Sequence, residues 1–141
     1  MKTTEYGFEI HLPASLAEAR KTAEDALKEQ GFGILTEIDV AATLKKKLDV
    51  DFKPYVILGA CNPPLAHRAL QAEEQIGLLL PCNVIVYETE PGVSRVVAID
   101  PLKAMAIVDN AQLGQIATEA QEKLIAALTA IEENVTVKEG D

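Results

Sequence analysis

The segment Gly59-Ala60-Cys61-Asn62-Pro63-Pro64 carries more chemistry than any other stretch of this chain. The apolar run Tyr55 to Cys61 reads as a strand in the middle of a sheet, and it ends directly in a helix start. Asn62 is a good N-cap, and Pro63 suits the first helical position, where no N–H is needed. The junction puts the Cys61 thiol near free backbone N–H groups and the positive end of a helix dipole, an environment that favours a thiolate. Gly59 permits close approach of another backbone or a ligand. The chemistry on offer is a reactive or metal-binding thiol, or a small-anion site at the helix start. The plainer alternative is a small buried cysteine at the edge of the core.

Cys82, in Leu80-Pro81-Cys82-Asn83, enters the next apolar strand. A crossover through the intervening helix would make the two strands parallel and part the cysteines by ~20 Å, whereas an antiparallel pair would bring them to one end. The crossover rule makes separation the expectation. His67 lies well off the Leu65, Ala69, Ala72 and Ile76 face and is expected in solvent, although its ring could lean back toward the helix start. His11, beside Pro13 at the end of the first strand, is read as structural. Glu88 is in line with Val84 and Val86. On a covered face it needs a partner and becomes a candidate base or ligand; a strand emerging at Thr89 would leave it in solvent. A turn at Pro91-Gly92 pairs Glu90 with Val93 and would set Arg95 directly opposite Glu88. No phosphate loop, dinucleotide glycine pattern, Ser elbow or CxxC is present.

The elements that must position these residues alternate along the chain. Tyr6 to Leu12 reads as a strand. Ser15 with Glu18 forms a capping box for a helix through Leu16, Ala19, Ala23 and Leu27, stopped by Gly31. Phe32 to Ile38 alternates as a strand, and Asp39 caps a short helix carrying Val40, Leu44 and Leu48. The helix after Asn62 is expected to run to about Ile76. Asn83 to Thr89 and Val93 to Ile99 form a hairpin. Asp100-Pro101 opens a short helix to about Ile107, and Asn110 caps the longest helix, apolar at Leu113, Ile116, Ala117, Ala120, Leu124, Leu128 and Ile131. This order predicts a single α+β domain over residues 1–133: a two-layer sandwich with about five strands, antiparallel or mixed, and helices packed on one face. Residues 134–141 are expected to form a flexible tail.

A chain of 141 residues with 48% hydrophobic and 25% charged residues is ordinary for one globular domain and supports a core without disulfides or metals. Thirteen Lys and Arg against 22 Asp and Glu leave a net charge of −9. That charge argues against nucleic-acid and anionic-membrane partners, and Lys45 to Lys47 is the only cationic run. No signal-like or membrane-length apolar run is present, and two cysteines are too few for a secreted scaffold, so a cytoplasmic protein with reduced thiols is expected.

Gly59-Ala60-Cys61-Asn62-Pro63, then Ala66 and Ala69-Leu70, then Leu80-Pro81-Cys82 with Val84, Val86 and Glu88, resemble the domain-of-unknown-function family 302. Met105 and the long C-terminal helix fall where that family would have them. The resemblance spans about Tyr6 to Ile131, and Gly59, Cys61, Asn62, Pro63, Pro81, Cys82 and Glu88 match the pattern. It implies a compact α+β sandwich, often a homodimer, in bacteria and archaea, and no established activity.

Three functions compete. The first is a small-ligand or metal-binding domain centred on Cys61. Its binding residues would be Gly59, Cys61, Asn62, Pro63 and Cys82, and its metal ligands, for Zn or Cu, would come from Cys61, His67, Cys82 and Glu88. The second is a thiol enzyme with Cys61 as nucleophile and Glu88 or His67 as base. The third is a non-catalytic homodimeric interaction domain.

Overall fold

The computed structural model describes residues 1–140, with side chains through Val135. Strands β1 (Lys2–Thr3) and β2 (Gly7–Leu12) lead to helix α1 (Leu16–Glu29), and β3 (Gly33–Asp39) leads to α2 (Val40–Leu48). Strand β4 (Tyr55–Cys61) runs into α3 (Pro63–Ala72) and a 3-10 segment (Glu74–Leu79). The hairpin β5 (Cys82–Glu90) and β6 (Val93–Ile99) follows, then α4 (Pro101–Met105) and α5 (Ala111–Gly140). The tail expected over 134–141 overlaps the end of α5; side chains beyond 135, and residue 141 altogether, lie outside the described residues.

Local chemistry sets the helix starts. The Ser15 hydroxyl accepts from the Glu18 N–H at 3.3 Å, Asp39 from Ala42 at 2.9 Å, Asp100 from Leu102 at 3.0 Å and Asn110 from Gln112 at 3.0 Å. Helix α1 ends ahead of Gly31, whose φ of 86° suits a residue without Cβ. Helix α3 is shorter than its apolar spacing predicts. It stops at Ala72, whose carbonyl accepts from the Asn110 amide at 2.9 Å, and Glu73 is extended at φ −148°. Ile76 keeps its place in the core on the 3-10 segment.

The sheet has six strands, one more than expected, in the order β1-β2-β6-β5-β4-β3, and every neighbouring pair is antiparallel. The extra strand is two residues long, too short to leave an alternation in sequence. Inward-facing residues of the sheet, among them Ile10, Leu58, Val84, Val86 and Val96, pack against Ala23 and Leu27 of α1 and Leu124, Leu128 and Ile131 of α5. A second cluster joins Leu65 and Ala69 of α3 to Ile76, Met105, Leu113, Ile116, Ala117 and Ala120. The other face of the sheet carries rows in register across the strands: Ile38, Ile57, Ile85, Val97 and Glu9, and beside it Tyr55, Tyr87, Arg95 and His11. Among the described residues, no helix is long and apolar enough to cross a membrane.

Candidate functional site

Where the two clusters meet, at the end of β4, a cavity of about 280 Å³ opens beside both cysteines. Ala60 and Cys61 of β4 and Cys82 of β5 form its sheet side, Leu65 and Ala69 its α3 side, and Met105, Ile116 and Ala120 its far wall. Leu35 and Leu70 line it while staying exposed. A cavity of ~150 Å³ lined by apolar groups takes up benzene, so the space here suits about two fused rings.

The cysteines share this end because β4 and β5 are antiparallel. The crossover rule governs parallel neighbours; here α3 and the 3-10 segment carry the chain back to the end it left, and Ala60 pairs with Cys82. The expected separation of the two thiols is therefore overturned. Cys82 lies on the helix-covered side with Ala60, and burial, helped by Cys61, pushes its thiol up to about 11. Iodoacetamide at pH 8 is accordingly expected to alkylate Cys82 about 100-fold more slowly than an unburied cysteine, with the rate rising tenfold per pH unit until about pH 11. Site-resolved mass spectrometry over a pH series checks this; a plateau below pH 9 would contradict it.

The start of α3 offers fewer donors than its position suggests. Pro63 and Pro64 have no N–H, the Leu65 N–H is taken by the Asn62 side chain at 3.3 Å, and the Ala66 N–H by the Asn62 carbonyl at 2.9 Å. The N–H groups of the first turn of α3, expected free beside Cys61, are thus absent or engaged, which removes the donors a small-anion site would draw from that turn. Asn62 instead fastens two helices: its amide also donates to the Gln30 carbonyl at 3.3 Å, across Gly31. A Cβ on Gly31 would stand 3.0 Å from that amide. Gly59 admits side chains of the protein itself, since a Cβ there would meet Pro81 Cγ at 2.7 Å and the Thr36 hydroxyl closer still.

The other sequence candidates lie apart. His67 is exposed on α3, as expected from its place on the wheel. Glu88 stands six residues along β5 from Cys82, ~20 Å away, and its carboxylate accepts from the Leu16 N–H at the start of α1 at 2.9 Å. Its covered-face partner is a helix end, which separates it from Cys61 as base or co-ligand. Arg95 does not face Glu88: Glu90 pairs with Val93 as predicted, but the register shifts between Glu88 and Glu90, so Ser94 stands opposite Glu88 and Arg95 opposite Tyr87. Arg95 pairs with the buried Glu9 at 3.0 Å, a contact that no local pattern predicts. Among the described residues, no group of three or more His, Cys, Asp or Glu side chains could hold a metal ion. The far wall of the cavity was also unforeseen, because Ile116 and Ala120 carry only the periodicity of an ordinary core helix.

The model of the family described as domain of unknown function DUF302 matches residues 8–131. The chain belongs to the DUF302 family. It is also similar to a solved structure, the uncharacterized conserved protein DUF302 from Bacillus stearothermophilus, with a TM-score of 0.81 and 30% identity, covering 89% of this chain and 98% of that one. No curated protein matches the chain. In this DUF302 member, Ala60, Cys61 and Asn62 with Leu80, Pro81 and Cys82 form one corner of the cavity.

Proposed function

We propose that this DUF302 protein is a small-ligand-binding domain whose ligand sits in the cavity beside Cys61 and Cys82. The observation that carries the reading is an apolar cavity where α3, α4 and α5 meet the end of β4. Ligand sites are concave and mostly apolar, with few polar groups. Binding is favoured over a thiol enzyme because Glu88 stands away from Cys61, His67 is exposed and does not line the cavity, and the N–H groups of the first turn of α3 that would stabilise a developing oxyanion are absent or engaged. A reduced, cytoplasmic protein fits the two free cysteines. Naphthalene is the probe, and alkylation of Cys61 by iodoacetamide is the readout. Saturating naphthalene is expected to slow that alkylation at least about tenfold; an unchanged rate would overturn the reading.

A homodimer is the second reading, favoured by the uncovered sheet face. Such a face is ordinarily polar, yet Ile57, Ile85 and Val97 form a row across three central strands, flanked by Tyr55 stacked on Tyr87 at 5.3 Å. A second copy packed there by a two-fold axis would cover the row. Light scattering at micromolar concentration is expected to give a dimer for the native chain and a monomer for Ile85→Lys. A monomeric native chain would exclude it.

A further inference from the structure

The apolar cavity beside Cys61 has a neighbour. A second cavity, also of about 280 Å³, lies between the 3-10 segment, the start of β5 and α4, with Leu78 on one side and Ile99 and Ala104 on the other. Leu80, Pro81, Cys82 and Met105 line both cavities, so the two abut at these four residues. Strand direction explains why they line up. Ala60 pairs with Cys82 and Val84 with Ala98, so the end of β4, the start of β5 and the end of β6 share one end of the sheet. The first cavity meets that end at Ala60 and Cys61, the second at Asn83 and Ile99. With strands ~4.8 Å apart, the pair extends ~10 Å along the strand ends from β6 to β4.

The walls are chemically uniform. No charged side chain and no imidazole lines either cavity, and the Asn62 amide is engaged with Gln30 and Leu65. The mouths are apolar too: Leu35 and Leu70 line the first cavity and Leu78 the second, and all three are exposed. A ligand buried between such walls must leave its polar end in water. A flat two-ring molecule fills one cavity and stops at the shared residues. A polymethylene chain is thin and flexible enough to continue past them, and Met105, an unbranched thioether, is a side chain that readily gives way.

We infer that the ligand is a single-chain lipid, an unbranched alkyl chain of more than ten carbons that lies across both cavities with its head group at a mouth. This rests on the reading of the cavity beside Cys61 as the binding site and names the class of ligand for it.

The test is displacement of naphthalene by the 1-alkanols from hexanol to tetradecanol. A cavity of ~150 Å³ takes the six carbons of benzene, so one cavity here takes about ten carbons and the pair about twenty. Each buried methylene tightens binding about fourfold. The steps are expected to continue beyond decanol, leaving tetradecanol at least about 100-fold tighter than decanol. Affinity that levels off at decanol would overturn the inference and leave the cavity reading standing. Ala104 lines the second cavity and not the first. Ala104→Phe is therefore expected to keep naphthalene binding and to bring tetradecanol down to the affinity of decanol; Ala104→Leu replaces it if the phenyl ring prevents folding. Undiminished steps in the folded variant would overturn the two-cavity chain site. Failure of naphthalene and every alkanol to bind would sink both readings.

Discussion

Gly59→Val is expected to lower the free energy of unfolding by about 3 kcal/mol or more, measured by urea denaturation. A Cβ at Gly59 would lie 2.7 Å from Pro81 Cγ and closer to the Thr36 hydroxyl. Thr36 is able to turn away, because its side chain is exposed at the edge strand. Pro81 is not: its ring is fused to the backbone just before Cys82. A branched side chain must therefore push the Leu80-Pro81-Cys82 segment off β4, with loss of the Ala60–Cys82 pairing that brings the two cysteines to one end of the sheet. A loss below about 1 kcal/mol would mean that the segment yields freely.

Ala120→Phe is expected to abolish naphthalene binding without unfolding the chain. Ala120 lies on α5 at the far wall, and a phenyl ring there takes the place of a cavity-bound benzene, ~150 Å³. That is about half of the 280 Å³ present. Naphthalene at saturating concentration is expected to raise the melting temperature of the native chain, because it binds only the folded state. In Ala120→Phe the shift is expected to vanish while the unliganded melting temperature stays within a few degrees. An equal shift in the variant would place the probe elsewhere.

The layers of this fold were legible because the helices declare themselves locally. Ser15, Asp39, Asn62, Asp100 and Asn110 were all recognisable caps, and each one accepts the hydrogen bond its position predicts. The site was legible only in part. Cys61 and Asn62 were located at their strand–helix junction, but its electrostatics were misjudged, since two prolines and the Asn62 cap remove the N–H groups that the junction would otherwise present. The meeting of Cys61 with Cys82 depended on strand direction, which a helical connection leaves undetermined. For Glu88 the sequence leaves a covered carboxylate needing a partner and a solvent-exposed one equally open, and the structure gives it a partner. Its partner, the Leu16 N–H, lies 72 residues away in sequence, beyond the reach of any local pattern. The Arg95 pairing failed by one residue at the register shift after Glu88, because the turn at Pro91-Gly92 fixes register only as far as the first irregularity.

The measurement that bears most directly on the central claim is a titration of naphthalene, followed by its own fluorescence in a chain that contains no tryptophan. At about 0.7 kcal/mol per heavy atom, its ten carbons predict saturable binding near 10 µM, one molecule per chain. Binding that fails to saturate up to the solubility limit would contradict a ligand site in the cavity beside Cys61.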